Sequence, residues 1–293
     1  MDSAVRKPLA GRRPTATAAG VLRPEVFAEY AHLARHSCSA ELGVFVENYW
    51  GVTWDLPDGA AFLSSTVPHP AGHLSIEWGG VDRDGTQAAA IRHEAGGGLV
   101  WVTGVPTSRF DVRLGGSGGV VGVKFRPGGL VAMLGGDPAA LRDATVPADQ
   151  VRPGLSALLG DLTDPLDDTV AAGLDRRLGS LAREAPADYL RLLDVIDVAL
   201  EYRDIVRVDQ LAERAGMGTR TLQRLFARYL GVGPKWVLAR YRLHDAVSAL
   251  DQGYDGSLTD LAVRLGWFDQ AHFIADFAAL VGKTPEAYRR SRG

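Results

Sequence analysis

Cysteine is almost missing from this chain: Cys38 is the only one in 293 residues. A single thiol excludes a disulfide framework and any cysteine-built zinc site, and it suits a reducing compartment. A strong charge of either sign is missing too. The formal net charge is −3, so any nucleic-acid surface must be local rather than global. No apolar run approaches the ~18–20 residues of a membrane span, and the first residues lack the apolar core of a secretory signal. No H-E-x-x-H pair and no Walker loop occurs. The expectation is a cytoplasmic protein that is not an enzyme, with no catalytic residue, no cofactor and no metal.

What is present changes in texture near residue 150. Before that point short apolar runs such as Val44–Trp50, His73–Trp78, Gly98–Val102 and Gly119–Phe125 are broken by turn signals, including Pro57-Asp58-Gly59 and Pro127-Gly128-Gly129. Such short runs read as strands. A helix is expected over Pro24–Ala34, another from Gly129, and Gly115–Gly119 reads as a flexible hairpin turn. After residue 150, leucines recur at helical spacing through Leu155–Leu162, Leu166–Ala185 and Tyr189–Tyr202. The fold class expected is α+β multidomain: a β-rich N-terminal barrel or sandwich, then an all-α domain. The expected division is 1–20 disordered tail, 21–150 β-rich domain, 151–186 helical linker and 187–293 all-α domain.

The C-terminal third contains an internal repeat. VDQLAERAGMGTRTLQRLF at 208–226 and LTDLAVRLGWFDQAHFIADF at 258–277 each read as a short apolar helix, a glycine-opened turn and a second helix. That is the layout of a helix-turn-helix, whose second helix enters the DNA major groove. In the first copy Leu222, Leu225, Phe226 and Tyr229 fall on one face, and Arg220, Gln223, Arg224 and Arg228 on the other. Arginine can bond guanine bidentately and glutamine can bond adenine; Thr219 is placed as helix N-cap or phosphate contact. In the second copy Ala271, Ile274, Ala275 and Ala279 occupy the corresponding positions, flanked by Gln270 and His272. Charge follows the same asymmetry: residues 207–242 hold eight Lys/Arg and two acids, a net of +6, whereas 243–293 hold five and seven, a net of −2. Gly216 and Gly266 suit turns with positive φ, and Trp236, Tyr241, Trp267 and Phe268 read as packing aromatics.

These residues, with GVGPKWVLARYRL at 231–243, LGWFDQAHF at 265–273 and VGKTPEAYR at 281–289, resemble the AraC/XylS family of bacterial transcription regulators over roughly 188–290. The resemblance implies two helix-turn-helix units joined by a long helix, here Pro234–Leu250, bound to adjacent major-groove segments of double-stranded DNA. It implies base contacts by Arg220, Gln223 and Arg224. The family commonly has arginine where Ala275 stands, so the first unit is expected to dominate base readout. The N-terminal half resembles, through ENYWGVTWDLP at 47–57 and the run at 102–129, an uncharacterised domain often fused to such units. A regulator of this layout uses that half to sense a small molecule, to dimerise, or both; an activator also touches RNA polymerase.

Candidate effector-binding residues are Trp50, Trp54, Trp78 and Trp101, which either wall an apolar pocket or fill a β core, and Arg126. Arg109 and Lys124 are further anion candidates, each with a structural ion pair as the alternative. His69, His73 and His93 are possible metal ligands by residue type, but isolated histidines in such loops read as ordinary surface residues. A homodimer is expected through the N-terminal domain or through Val170, Leu174, Leu178 and Leu181 of the Leu166–Ala185 helix, unless that stripe docks on its own chain. The competing function is an enzyme, a hydrolase or transferase, with an attached DNA-binding unit.

Overall fold

The computed structural model describes residues 28–67, 69–83, 99–202 and 204–291. The expected tail at 1–20 and His93 lie outside them. Among the described residues seven strands, β1 (Ala31–His36), β2 (Val46–Asp55), β3 (Ala61–Thr66), β4 (His73–Arg83), β5 (Leu99–Thr103), β6 (Phe110–Phe125) and β7 (Thr145–Pro147), form one sheet in the order β1-β2-β6-β4-β5-β7, with β3 also on β6. Every pairing is antiparallel. The helix expected over Pro24–Ala34 gives way to β1 in its later part, where Ala31–Ala34 pair with Gly51–Trp54.

β6 is the hub, and its glycines explain why. Gly115–Gly119 is not a hairpin turn; it lies inside the strand. A Cβ on Gly118 would stand 2.5 Å from the Trp54 ring, on Gly119 2.2 Å from Trp78, and on Gly122 2.1 Å from Trp50. Each glycine therefore seats an indole flat against the strand, which no other residue type permits. The same stretch spells the letters G-x-S-x-G, but Ser117 donates to Asp55 of the neighbouring strand and no strand-to-helix elbow follows.

Helices α1 (Gly129–Leu134), α2 (Pro138–Leu141), α3 (Ala148–Val151), α4 (Leu155–Leu159), α5 (Asp168–Gly179) and α6 (Ala187–Glu201) come next. Gly129–Leu134 is the helix expected after the Pro-Gly-Gly turn. α5 is shorter than its leucine pattern predicts because Asp167 caps it, accepting from Val170 N at 2.8 Å. Val170, Leu174 and Leu178 are buried in the same core as the sheet. The stripe read as a dimer surface thus docks on its own chain.

Among the described residues the apolar core forms two large clusters and a small one of Val52, Trp54, Leu56 and Leu114. The main cluster runs from Leu42 through the sheet and α5–α6 to Tyr241. The second large cluster holds Leu243 to Tyr288 and, from the sheet half, Val67. The boundary falls inside the C-terminal third, not at its start. The first helix-turn-helix shares the sheet's core through stacked aromatics: Phe45 on Tyr189 at 5.7 Å, then Tyr189 against Tyr229 at 5.5 Å. Tyr189 Oη donates to the Val44 carbonyl at 2.8 Å, and Tyr229 Oη donates to Asp188 at 2.5 Å.

Gly231 completes this joint. It takes φ +68°, and a Cβ there would stand 2.1 Å from the Pro138 carbonyl oxygen of α2. Gly231→Ala combines left-handed strain with a backbone clash and is expected to cost about 2–4 kcal/mol. Urea denaturation measures this; a loss below about 1 kcal/mol would mean the joint yields freely.

Candidate nucleic-acid interface

Two short helices and two longer ones repeat one geometry. α7 (Val208–Arg214) and α8 (Thr219–Leu230) form the first unit. α9 (Pro234–Asp251) joins it to α10 (Leu258–Arg264) and α11 (Gln270–Val281), and α12 (Pro285–Arg290) closes the chain. α7 and α10 are 7 residues each, α8 and α11 12 each. Gly216 and Gly266 take φ +63° and +81° at the turns, as their placement predicts. α9 covers 18 residues, about 27 Å at 1.5 Å per residue.

On α8, Leu222, Leu225, Phe226, Tyr229 and Leu230 are buried, while Thr219, Arg220, Gln223, Arg224 and Arg228 are exposed. Thr219 is not the N-cap: Gly218 is, and no side chain caps the helix, which leaves the Thr219 hydroxyl outside the capping role. Arg228 departs further from its expected place. Its Nη1 lies 2.8 Å from Asp188 Oδ2 of α6, so it clamps α8 to α6 at the end away from the turn. Asp188 takes Arg228 and Tyr229 together, and nothing in the repeat pattern pointed to it.

α11 carries no Lys or Arg. Asp269 caps it, accepting from His272 N at 2.7 Å. The His272 ring lies 3.3 Å from Asp276, which also accepts from Trp267 Nε1 at 2.9 Å. Gln270 accepts from Thr259 at 2.8 Å. Ala271, Ala275 and Ala279 are exposed. Trp267 and Tyr241 are buried as expected, and Trp236 is half-buried with Arg240 over its ring at 4.6 Å. Phe268 corrects the packing expectation: it is 92% exposed, in the turn just before α11.

The sheet separates the effector candidates. Cross-strand pairing and alternation put Trp50, Trp54 and Trp101 on one face, whereas Trp78 packs against the main core on the other. Arg126 donates to the Gly43 carbonyl at 2.5 Å, a structural tie to the turn before β2 rather than an open anion site. Arg109 grips Asp111 with two nitrogens, and Lys124 pairs with Glu47 at 3.0 Å. His69 stacks on His244 of α9 with ring centroids 3.9 Å apart. Among the described residues no group of three or more His, Cys, Asp or Glu is placed to hold a metal.

Comparison with known proteins agrees with this geometry. Residues 211–291 match the family described as "Helix-turn-helix domain", and residues 34–147 match a "Domain of unknown function (DUF6597)". The chain therefore joins an N-terminal domain of the DUF6597 family to a C-terminal helix-turn-helix region of AraC type. Among curated relatives, the HTH-type transcriptional activator RhaS of Escherichia coli O139:H28 is 34% identical over 91 residues, covering 31% of this chain and 32% of that protein. An uncharacterized HTH-type transcriptional regulator of Haemophilus influenzae is 32% identical over 84 residues, covering 29% and 28%. The matched region thus spans about a third or less of these relatives. Among solved structures, the DNA-binding domain of AdpA in complex with a target DNA is 31% identical, with a TM-score of 0.32, covering 34% of this chain and 91% of that one.

Proposed function

We propose that this protein is a cytoplasmic, sequence-specific regulator of transcription that binds double-stranded DNA through its two helix-turn-helix units. Control of that binding is assigned to the N-terminal domain. The observation that carries the reading is α8: it buries one face and exposes Arg220, Gln223 and Arg224, the side chains that pair bidentately with guanine and adenine. In vitro selection of sites from random duplex DNA, with full-length protein at fixed physiological salt, tests it. A defined motif is the expected result; binding without sequence preference would overturn it.

The second unit reads differently. Ala271 and Ala275 stand at the places of Arg220 and Arg224, and the exposed Phe268 lies in the turn just before their helix. Alanine and phenylalanine fit the C5-methyl of thymine. Replacing thymine by uracil in the half-site under α11 is expected to weaken wild-type binding about 3–10-fold and to leave Phe268→Ala almost unaffected, read by gel shift. Equal sensitivity of the two proteins would remove this role from Phe268.

A further inference from the structure

The two helix-turn-helix units repeat one turn, but their turn glycines do not have the same surroundings. Gly216 takes φ +63°, and a Cβ on it would stand in open space. Gly266 takes φ +81°, and a Cβ on it would collide with Val206 Cγ1 and stand 3.6 Å from Arg242 Nη1. Positive φ accounts for both glycines; the close approach at Gly266 is a second demand, made in one copy of the repeat. Val206 does not belong to the second unit. It stands just ahead of α7 in the first, and its N–H donates to Gln210 Oε1 of that helix at 3.1 Å, as the N–H of Arg207 does at 3.0 Å. A side chain anchored on the first unit is thus pressed against the turn of the second.

Arg242 reaches the same turn from α9. Its Nη1 donates to the Gly266 carbonyl at 2.7 Å, and its guanidinium carbon lies 4.9 Å from the centre of the Trp267 ring. Trp267 Nε1 donates in turn to Asp276 of α11 at 2.9 Å. Contacts therefore run from α9 through the turn to the second reading helix. The place of Arg242 on α9 matters as well. Tyr241 belongs to the cluster shared with the sheet and Leu243 to the cluster of the second unit, so α9 passes from one core to the other at this residue. A helix crossing alone between two cores can curve; a second contact beside it makes the pair a bracket. The sheet supports the second unit too, at Val67 and through His69 stacked on His244; Val206 and Arg242 hold the turn from which α11 starts.

We propose that Val206 and Arg242 form a clasp that fixes the offset between α8 and α11, and that this clasp, added to α9, restricts the protein to one spacing between its two half-sites on DNA. The proposal rests on the regulator reading and deepens it by naming what selects the spacing. Val206 and Arg242 are positioning residues: they act through the turn, and Arg220, Gln223 and Arg224 keep the base contacts. A stiff link holds the second unit at high effective concentration over one spacing and at low concentration over others, whereas a loose link evens the two.

Two measurements on the full-length protein test the proposal, one of them without DNA. Nitroxide labels on Ala227→Cys of α8 and Ala279→Cys of α11, both exposed positions, in a Cys38→Ser background, report the distance between the reading helices by pulsed electron paramagnetic resonance. The clasped protein is expected to give one narrow distribution. Val206→Ala, and Arg242→Met with its apolar stem kept, are expected to broaden it. Gly216→Ala strains the other turn and should leave the distribution narrow, which separates loss of the clasp from loss of stability. On the selected DNA site, one base pair inserted between the half-sites is expected to weaken the clasped protein about 3–10-fold and the two clasp variants less than about 2-fold, read by gel shift. A distribution already broad with the clasp intact, clasp variants as narrow as it, Gly216→Ala as broad as they are, a selected motif with a single half-site, or one insertion penalty for all would overturn the proposal. If no defined DNA site is selected, the regulator reading falls, and the distance distributions alone decide whether the clasp exists.

Discussion

Replacing Phe277 by alanine is expected to unfold one piece of this protein and leave the rest standing. Phe277 is fully buried in the cluster that holds Leu243 to Tyr288, whereas Phe226 is equally buried in the cluster that holds the sheet. Truncating a buried phenylalanine costs about 3–5 kcal/mol. Where that cost falls depends on which residues share the core. Phe277→Ala should produce an early calorimetric transition confined to the second helix-turn-helix, with amides of α10–α12 exchanging faster and those of the sheet unchanged. Phe226→Ala should lower the main transition and loosen the sheet with it. A single transition in Phe277→Ala, with sheet and helix peptides losing protection together, would refute the division.

The second large effect concerns DNA. Arg224→Ala is expected to weaken binding by about 1–3 kcal/mol, or ~5–150-fold, and to relax the choice of one base pair. Removing an arginine that only touches phosphate would instead weaken all sequences alike and reduce the salt slope. His272→Ala should do far less, because His272 is already engaged by Asp276 and its helix carries no Lys or Arg. Equal losses from the two substitutions would end the asymmetry between the units. Arg228→Ala separates a third case: its partner Asp188 lies on the protein, so its loss should fall on stability more than on base choice.

The C-terminal third was legible because its signals are local. Helical spacing, turn glycines and the repeat of two units specify α7–α11 without reference to the rest of the chain. The β half was legible as strands but not as a sheet, since β6 pairs residues more than 60 positions apart, such as Asp55 with Ser117. Gly115–Gly119 was misread for that reason. A glycine run is a turn by propensity, and only the tryptophans that lie on it make it a strand. Phe268 was misread in the opposite direction, because an aromatic beside a buried tryptophan gives no local sign of facing outward. Asp188 could not be found at all: an acid in a first helical turn is ordinary until the chain folds Arg228 and Tyr229 onto it.

The shared core of sheet and first unit has one more consequence. On the proposed function, α8 is held against its own body by Tyr189, Tyr229 and Gly231, so docking it in a groove would also fix the compass bearing of the whole N-terminal domain around the duplex. Two molecules on neighbouring sites could meet only if those bearings agree. Adding about five base pairs between the sites turns one body to the far side of the helix, and adding about ten brings it back. Spacing between sites would then act as part of the genetic message, written in the pitch of the DNA.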